Sequence, residues 1–317
     1  MEKVNSLSVI VPVYNSQVTL HELVARLSNI LPDITCEFEV LLINDGSRDD
    51  SWQVVKNLSA QYAFVRGINL MRNYGQHNAL LCGIRLAAGD FCVTMDDDLQ
   101  HPPEEIPLLL APLHDGYDVV YGFPRKLPHS PIRNFFSRLT KKTLAAVMGI
   151  KTVREISAFR AFRTDLRRAF EFYRSPGVII DALLAWGTTK FTSVLVDEVP
   201  RKHGQSNYNF SQLISQAVFV LTGFSTFPLH FASWMGFILT LFGLVIFIFV
   251  VASYFTAGSI PGFPFLASII SIFSGTQLFA LGIFGEYLAR IFDRSMGHPA
   301  YVIGETTQPQ PSGDILS

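Results

Sequence analysis

The sequence predicts an α/β protein with a doubly wound, mostly parallel sheet, followed by an amphipathic helix and a two-helix membrane anchor. Three observations carry this. Short β-branched apolar runs alternate with helical spacing through the first half of the chain. A polar cluster follows each run, as expected where strands end in loops. From Gly204 to Gly285 there is no Asp, Glu, Lys or Arg.

The first unit reads strand, loop, helix: LSVIVPV at 7–13, then helical spacing of apolar residues over 20–30. The pattern repeats. Residues 40–43 enter NDGSRDD and a helix near 51–59, residues 65–70 enter RNYGQHN and a helix to residue 88, and residues 91–95 enter DDDLQHPPEE. Alternating strands and helices imply a parallel sheet whose site lies at the carboxyl ends of the strands. Tyr14, Asp45, Asn73 and the run Asp96 to Asp98 should therefore converge on one edge. A further strand is expected at 119–122.

Downstream, residues 130–149 interleave Ile132, Phe135, Phe136 and Leu139 with Arg133, Arg138, Lys141 and Lys142. A basic amphipathic helix of this kind can lie in a membrane interface with its cations toward lipid phosphates. Residues 231–255 and 265–284 each reach the length an apolar helix needs to cross hydrocarbon. Their connection is uncharged, whereas Arg201, Lys202, Arg290 and Arg294 flank the outer ends, which places both ends in the cytoplasm. Small and polar residues in the spans, among them Ser274, Gly275 and Gln277, offer helix contact faces. The division expected is a catalytic domain at 1–225, a two-helix anchor at 226–292 and a cytoplasmic tail at 293–317, disordered from Gly304 onward.

Composition narrows the function. With 317 residues, a formal net charge of -1 and a mean hydropathy of +0.30, the chain lacks the large basic field of a nucleic-acid-binding protein. Phosphate handling must be local. Cys36, Cys82 and Cys92 have no zinc-type spacing and read as small hydrophobes in a reducing compartment. There is no signal-peptide pattern at the N-terminus, no GxGxxG, no GxxxxGK[ST] and no GxSxG.

The chemistry concentrates in Asp96-Asp97-Asp98-Leu99-Gln100, directly after the apolar strand FCVTM. An acidic turn capping the next helix would need no ligand. Three carboxylates ending a buried strand, with two other Asp/Asn loops on the same edge, point instead to a hard divalent cation, Mg²⁺ or Mn²⁺, shared with substrate phosphates. A nucleoside diphosphate leaving group gives such a cation its purpose, because charge develops on the β-phosphate as the glycosidic bond breaks. Asn44-Asp45-Gly46-Ser47 is placed to meet a base or ribose, or to form an ordinary Asx turn.

VIVPVYN, LLINDGSRDDS, LMRNYGQHNALLCGI, DDDLQHPPEEIP, SAFRAFR, RKHGQSNY and LGIFGEYLARIF together resemble the family-2 glycosyltransferases of the polyprenyl-phosphate type, over nearly the whole chain. That group includes bactoprenol glucosyltransferases, dolichol-phosphate mannose synthases and the undecaprenyl-phosphate formamido-arabinose transferases, the last being most similar. The resemblance implies a GT-A fold, a UDP- or GDP-sugar donor, inversion at the anomeric carbon, a polyprenyl-phosphate acceptor and a two-helix anchor that often forms tetramers. It implies that Pro12, Tyr14, Asn15, Asp45, Asp96, Asp97 and Arg201 contact the nucleotide. It gives Asp96, Asp98 and Gln100 to the metal, Asp98 being also catalytic. Arg133 and Ser137, joined by Arg160, would bind the acceptor phosphate.

Three departures stand out. Ser16 and Asn207 occupy positions where the family usually has Glu and Lys. SAFRAFR carries Ala158 where a Gly-Asp-Phe-Arg member has an aspartate proposed as base, and Glu155 is the nearest acidic replacement. A phosphate monoester with a second pKa near 6 is already mostly dianionic at neutral pH and needs no base. No indispensable base is therefore expected, and Glu155→Gln should keep at least a tenth of the rate. A processive polysaccharide synthase would carry QxxRW and more spans. A non-catalytic adaptor or a diacylglycerol glycosyltransferase would share the fold and differ in donor binding or lipid product.

Overall fold

The computed structural model describes residues 3–124, 157–175, 177–199, 227–257 and 262–308. The chain divides into two compact units, Met1–Asn207 with Gly297–Ser317, and Tyr208–Met296. The segment from Gly297 onward, expected as part of a separate tail, belongs to the first unit.

Eight described strands form one sheet in that unit. They are β1 (Val4–Val13), β2 (Thr35–Asn44), β3 (Val65–Leu70), β4 (Phe91–Thr94), β5 (Val119–Pro124), β6 (Arg160–Arg163), β7 (Phe191–Val196) and β8 (Ile303–Thr306). Their order is β7-β5-β6-β4-β1-β2-β3-β8. The run β4-β1-β2-β3 is parallel throughout, and β5 pairs with β7 in parallel. Strand β6 is antiparallel to both β4 and β5, and β8 is antiparallel to β3.

Helices cover both faces, so the central strands read as unbroken apolar runs rather than alternating ones. Helices α1 (Leu20–Ile34), α2 (Ser51–Gln61) and α4 (Ile106–His114) pack on one face with Val9, Val11, Val40 and Leu42. Helices α3 (Gln76–Leu86) and α5 (Ile180–Gly187) pack on the other with Ile10, Leu41 and Ile43. In α1 the buried set Leu20, Leu23, Val24, Leu27 and Leu31 follows the i, i+3, i+4 stripe of an amphipathic helix.

The tail departs from expectation between Gly304 and Gln308. Strand β8 completes the sheet edge: the Trp52 indole N–H donates to Glu305 at 2.8 Å, and the Gly67 N–H donates to the Thr307 hydroxyl at 2.9 Å. Polar side chains held by specific partners replace the apolar signal a strand normally shows. Residues 309–317 and the amphipathic segment 130–149 lie outside the described residues.

The second unit contains α6 (Phe227–Ala257) and α7 (Phe263–Ser295), 31 and 33 residues long. Both extend beyond the expected spans. Among the described residues one helix, α6, is long and apolar enough to cross a membrane, over Pro228–Ile246. A Cβ on Gly243 would come within 2.9 Å of the Phe273 ring, so that glycine makes the close approach between the helices, whereas a Cβ on Gly275 would meet nothing.

Candidate active site

The four parallel strands β4-β1-β2-β3 end on one edge, and their loops enclose a cleft of about 240 Å³. Pro12 and Val13 come from the end of β1 and Tyr14 from the loop after it, Asp45 follows β2, Asn73, Gly75 and Gln76 come from the β3–α3 junction, and Asp96, Asp97 and Asp98 follow β4. This is the convergence that the alternating pattern implies.

Each loop has its own device. Gly46 adopts φ +64°, and a Cβ there would lie 2.5 Å from Asn73 N and 2.6 Å from Arg72 C. Only glycine combines the left-handed backbone with that close approach. The Asp45 carboxylate, buried, accepts from Tyr74 N at 2.7 Å and Gly75 N at 2.8 Å, tying the β2 and β3 loops together. Burial raises its pKa, against the pull of those two donors. Asp45 thus lines the cleft while serving first as a loop tie.

The three consecutive aspartates face different partners. Asp96 Oδ1 accepts from Gln76 Nε2 at 2.6 Å, and Asp98 Oδ1 accepts from the Gln100 N–H at 3.1 Å in an Asx-type turn. Asp97 Oδ2 accepts from Tyr14 N at 3.2 Å and from the Ser16 hydroxyl. Burial pushes the Asp97 carboxyl up to about 6, opposed by the Ser16 and Tyr14 donors and reinforced by the charge of Asp98. The two non-glycine residues with positive φ among those described, Asn15 at 53° and Leu99 at 60°, lie on these same two loops. Asparagine tolerates that region through its short polar side chain, and here Asn15 Oδ1 accepts from Arg48 N at 2.8 Å. Leu99 is held there by burial, at 3% exposure. Gln100 is not among the cleft-lining residues; its carbonyl accepts from Val199 N at 2.9 Å.

Arg160, expected among the acceptor-phosphate ligands, is placed by the structure in a buried ion pair. Its side chain is 2% exposed. The guanidinium pairs with Asp181, Nε donates to Thr94 Oγ1 at 3.1 Å, and the Tyr121 hydroxyl donates to the same Asp181 oxygen at 2.9 Å. Burial works against the charge on Arg160, and Asp181 together with Tyr121 and Asp96 more than restores it, leaving the pKa raised. Arg160 is a buried brace behind the end of β4. Next to it the His101 ring stacks on Phe159 at 5.0 Å between centroids, and burial lowers the His101 pKa. Gln76 lies within the RNYGQHN motif but was not singled out as a site residue, and Asp181 carried no motif of its own. Arg133, Ser137, Glu155 and Arg201 lie outside the described residues.

A divalent cation fits the donor set. Asp96 and Asp98 in a cleft open to a ligand match a hard cation whose shell is completed by phosphate oxygens.

Residues 8–170 match the model of the family described as Glycosyl transferase family 2. The chain is 34% identical to an undecaprenyl-phosphate 4-deoxy-4-formamido-L-arabinose transferase of Shewanella sediminis (strain HAW-EB3), over 97% of this chain and 96% of that protein. It is 32% identical to the protein of that name in Pseudomonas fluorescens (strain SBW25), over 98% and 92%. Among solved structures, glucosyl-3-phosphoglycerate synthase from Mycobacterium tuberculosis, in complex with Mn²⁺, UDP and glucosyl-3-phosphoglycerate, superposes with a TM-score of 0.50. The identity is 19%, over 69% of this chain and 78% of that one. The likeness establishes the GT-A fold. With the family model spanning more than half of the chain and full-length relatives at a third identity, the chain belongs to Glycosyl transferase family 2, in the same group as those undecaprenyl-phosphate transferases.

Proposed function

We propose that the protein transfers a sugar from a nucleoside diphosphate, with UDP as the carrier, to undecaprenyl phosphate or a related polyprenyl phosphate at the cytoplasmic face of a membrane. The product is a polyprenyl-phosphate sugar for glycan or lipid A modification. The observation that carries this reading is the cleft in which Asp96 and Asp98 meet Tyr14 and Asp45 at the ends of the parallel strands.

In the reaction an acceptor phosphate oxygen bonds to the anomeric carbon, the bond from that carbon to the β-phosphate oxygen breaks, and nucleoside diphosphate leaves. The configuration inverts. Asp96 and Asp98 would hold Mg²⁺ or Mn²⁺, which would supply Lewis-acid stabilisation of the leaving diphosphate. Tyr14, 43% exposed at the mouth, would contact the nucleotide, and the Asp45 tie holds the β2 and β3 loops together around it. Arg201 would close over the diphosphate, and Arg133 with Ser137 would receive the acceptor phosphate, as the family resemblance implies. The acceptor arrives already deprotonated, so the protein's task is to orient it.

Helices α6 and α7 would form the two-helix anchor, and a homotetramer accords with the group. Phe237, Leu241, Ile248 and Phe249 expose more than half their surface on α6, an arrangement that lipid, not water, would cover.

The test is incubation of the detergent-solubilised protein with undecaprenyl phosphate, Mn²⁺ or Mg²⁺ and a panel of UDP- and GDP-sugars, scoring nucleotide release and lipid mass. Metal-dependent UDP release with a sugar-shifted lipid phosphate supports the proposal. Transfer to diacylglycerol and not to lipid phosphate would refute the acceptor assignment, and failure with every donor would refute the transferase reading of the cleft.

A further inference from the structure

Ser16, on the loop after β1, sits against the middle carboxylate of the acidic triplet. The Ser16 hydroxyl donates to Asp97 Oδ2, and the same oxygen receives Tyr14 N at 3.2 Å. On its other side the loop is fastened to the β2–α2 segment: Ser16 N donates to Ser51 Oγ at 2.8 Å and Asn15 N to Ser47 Oγ at 3.0 Å. The backbone is thus pinned between two neighbouring loops at the left-handed Asn15, φ 53°. The loop that carries Asp97 has a second left-handed residue, Leu99 at φ 60°. Two left-handed non-glycine residues joined through one carboxylate describe a latch that the fold must hold in place.

We propose that Asp97 is a positioning residue of the donor cleft: from the acidic loop its carboxylate holds the loop after β1, and through Ser16 and Tyr14 it fixes the nucleotide-facing wall. This rests on reading the cleft as the donor site and deepens that reading. Of three consecutive aspartates, Asp96 and Asp98 serve the ligand and Asp97 serves the protein's own loops. Introducing Glu at position 16 would set a second carboxylate against Asp97 in a shielded site, where like charges repel strongly. Residues 16 and 97 therefore tolerate one carboxylate between them.

The experiment is a cycle of Ser16→Glu, Asp97→Ala and the double variant in the full-length protein. It measures UDP affinity, donor KM and kcat with undecaprenyl phosphate, and thermal stability without ligand. Each single variant should raise donor KM at least tenfold with kcat within about threefold of wild type. The double variant should recover at least fivefold in KM and melt above both singles. Asp97→Asn, which keeps an acceptor oxygen for Tyr14 N, should fall between wild type and Asp97→Ala. Additive losses in the double variant, or a collapse of kcat at unchanged KM, would overturn the latch. If the wild type bound no nucleotide, the donor reading would fail, and the ligand-free melting cycle would still decide whether residues 16 and 97 share one carboxylate.

Discussion

Removing the Asp181 charge tests whether Arg160 is a brace or a substrate ligand. Arg160 and Asp181 expose 2% and 6% of their side chains, and the pair also holds Thr94 and the Tyr121 hydroxyl. Breaking a buried pair by removing one partner costs about 3–5 kcal/mol, because the survivor is left charged and unpaired. The two halves are unequal. A lone carboxylate can take up a proton, whereas a lone guanidinium cannot lose one. Asp181→Asn should therefore destabilise more than Arg160→Met. The double variant should be more stable than Asp181→Asn, since both charges are gone and the introduced amide oxygen still accepts from Tyr121. At roughly 2–4 °C per kcal/mol for a domain of this size, the single variants should melt about 6–20 °C lower. Thermal unfolding in detergent, followed by kinetics on the remaining folded protein, provides the assay. Wild-type stability in Arg160→Met with a tenfold higher acceptor KM would refute the brace and restore the phosphate-ligand reading.

Three further outcomes follow from particular contacts. Burial pushes the Cys82 and Cys92 thiols up to about 12, while Cys36 is exposed. At pH 8 only about one in 10⁴ of the buried thiols is thiolate, so mass spectrometry after iodoacetamide should find Cys36 alkylated and the other two unmodified until the protein unfolds. Truncation after Val302 removes β8 with the Trp52–Glu305 and Gly67–Thr307 hydrogen bonds, whereas truncation after Gln308 keeps them. At about 1 kcal/mol net per bond, a few lost bonds should lower the melting temperature by roughly 5–10 °C in the first case and leave it unchanged in the second. Gly46→Ala places a Cβ 2.5 Å from Asn73 N at φ +64°, and calorimetry should show UDP affinity at least tenfold weaker as the β3–α3 loop is displaced.

The strands legible in the sequence are those buried on both faces. Strands β1 to β4 read as apolar runs because α1, α2 and α4 cover one side and α3 the other. Strand β6, RAFR, gave no such signal. Its arginines are paired with Asp181 and Asp118, 21 and 45 residues away in the chain, and a sequence displays the charge without its partner. For the same reason the sequence offered Arg160 to the acceptor phosphate, with no sign of its Asp181 partner. Strand β8, IGET, is polar because it lies on the edge and is fixed by side-chain partners. Within the site, the acidic triplet and the Asp45 loop were legible from their place after apolar strands. The differing orientations of Asp96, Asp97 and Asp98 were not, because they depend on what the β1 loop and Gln76 present to each carboxylate.

Charge in the cleft makes one demand on the ligand. Asp45, Asp96, Asp97 and Asp98 all line it, and none of its described lining residues is Lys or Arg. A nucleoside diphosphate brings two or more negative charges to that wall. Each pair of unit charges about 6 Å apart repels by about 3 kcal/mol at an effective dielectric near 20, so donor binding itself, and not only the bond-breaking step, should need a divalent cation. Calorimetric titration with UDP in Mn²⁺ or Mg²⁺ should give saturable binding that weakens at least tenfold when chelator replaces the metal. A monovalent salt of equal ionic strength should not restore it, because screening acts over several ångströms and does not bridge phosphate to carboxylate. Equal affinity with chelator would refute this account of Asp96 and Asp98, and would leave the diphosphate to cations from outside the described lining, with Arg201 the first to substitute.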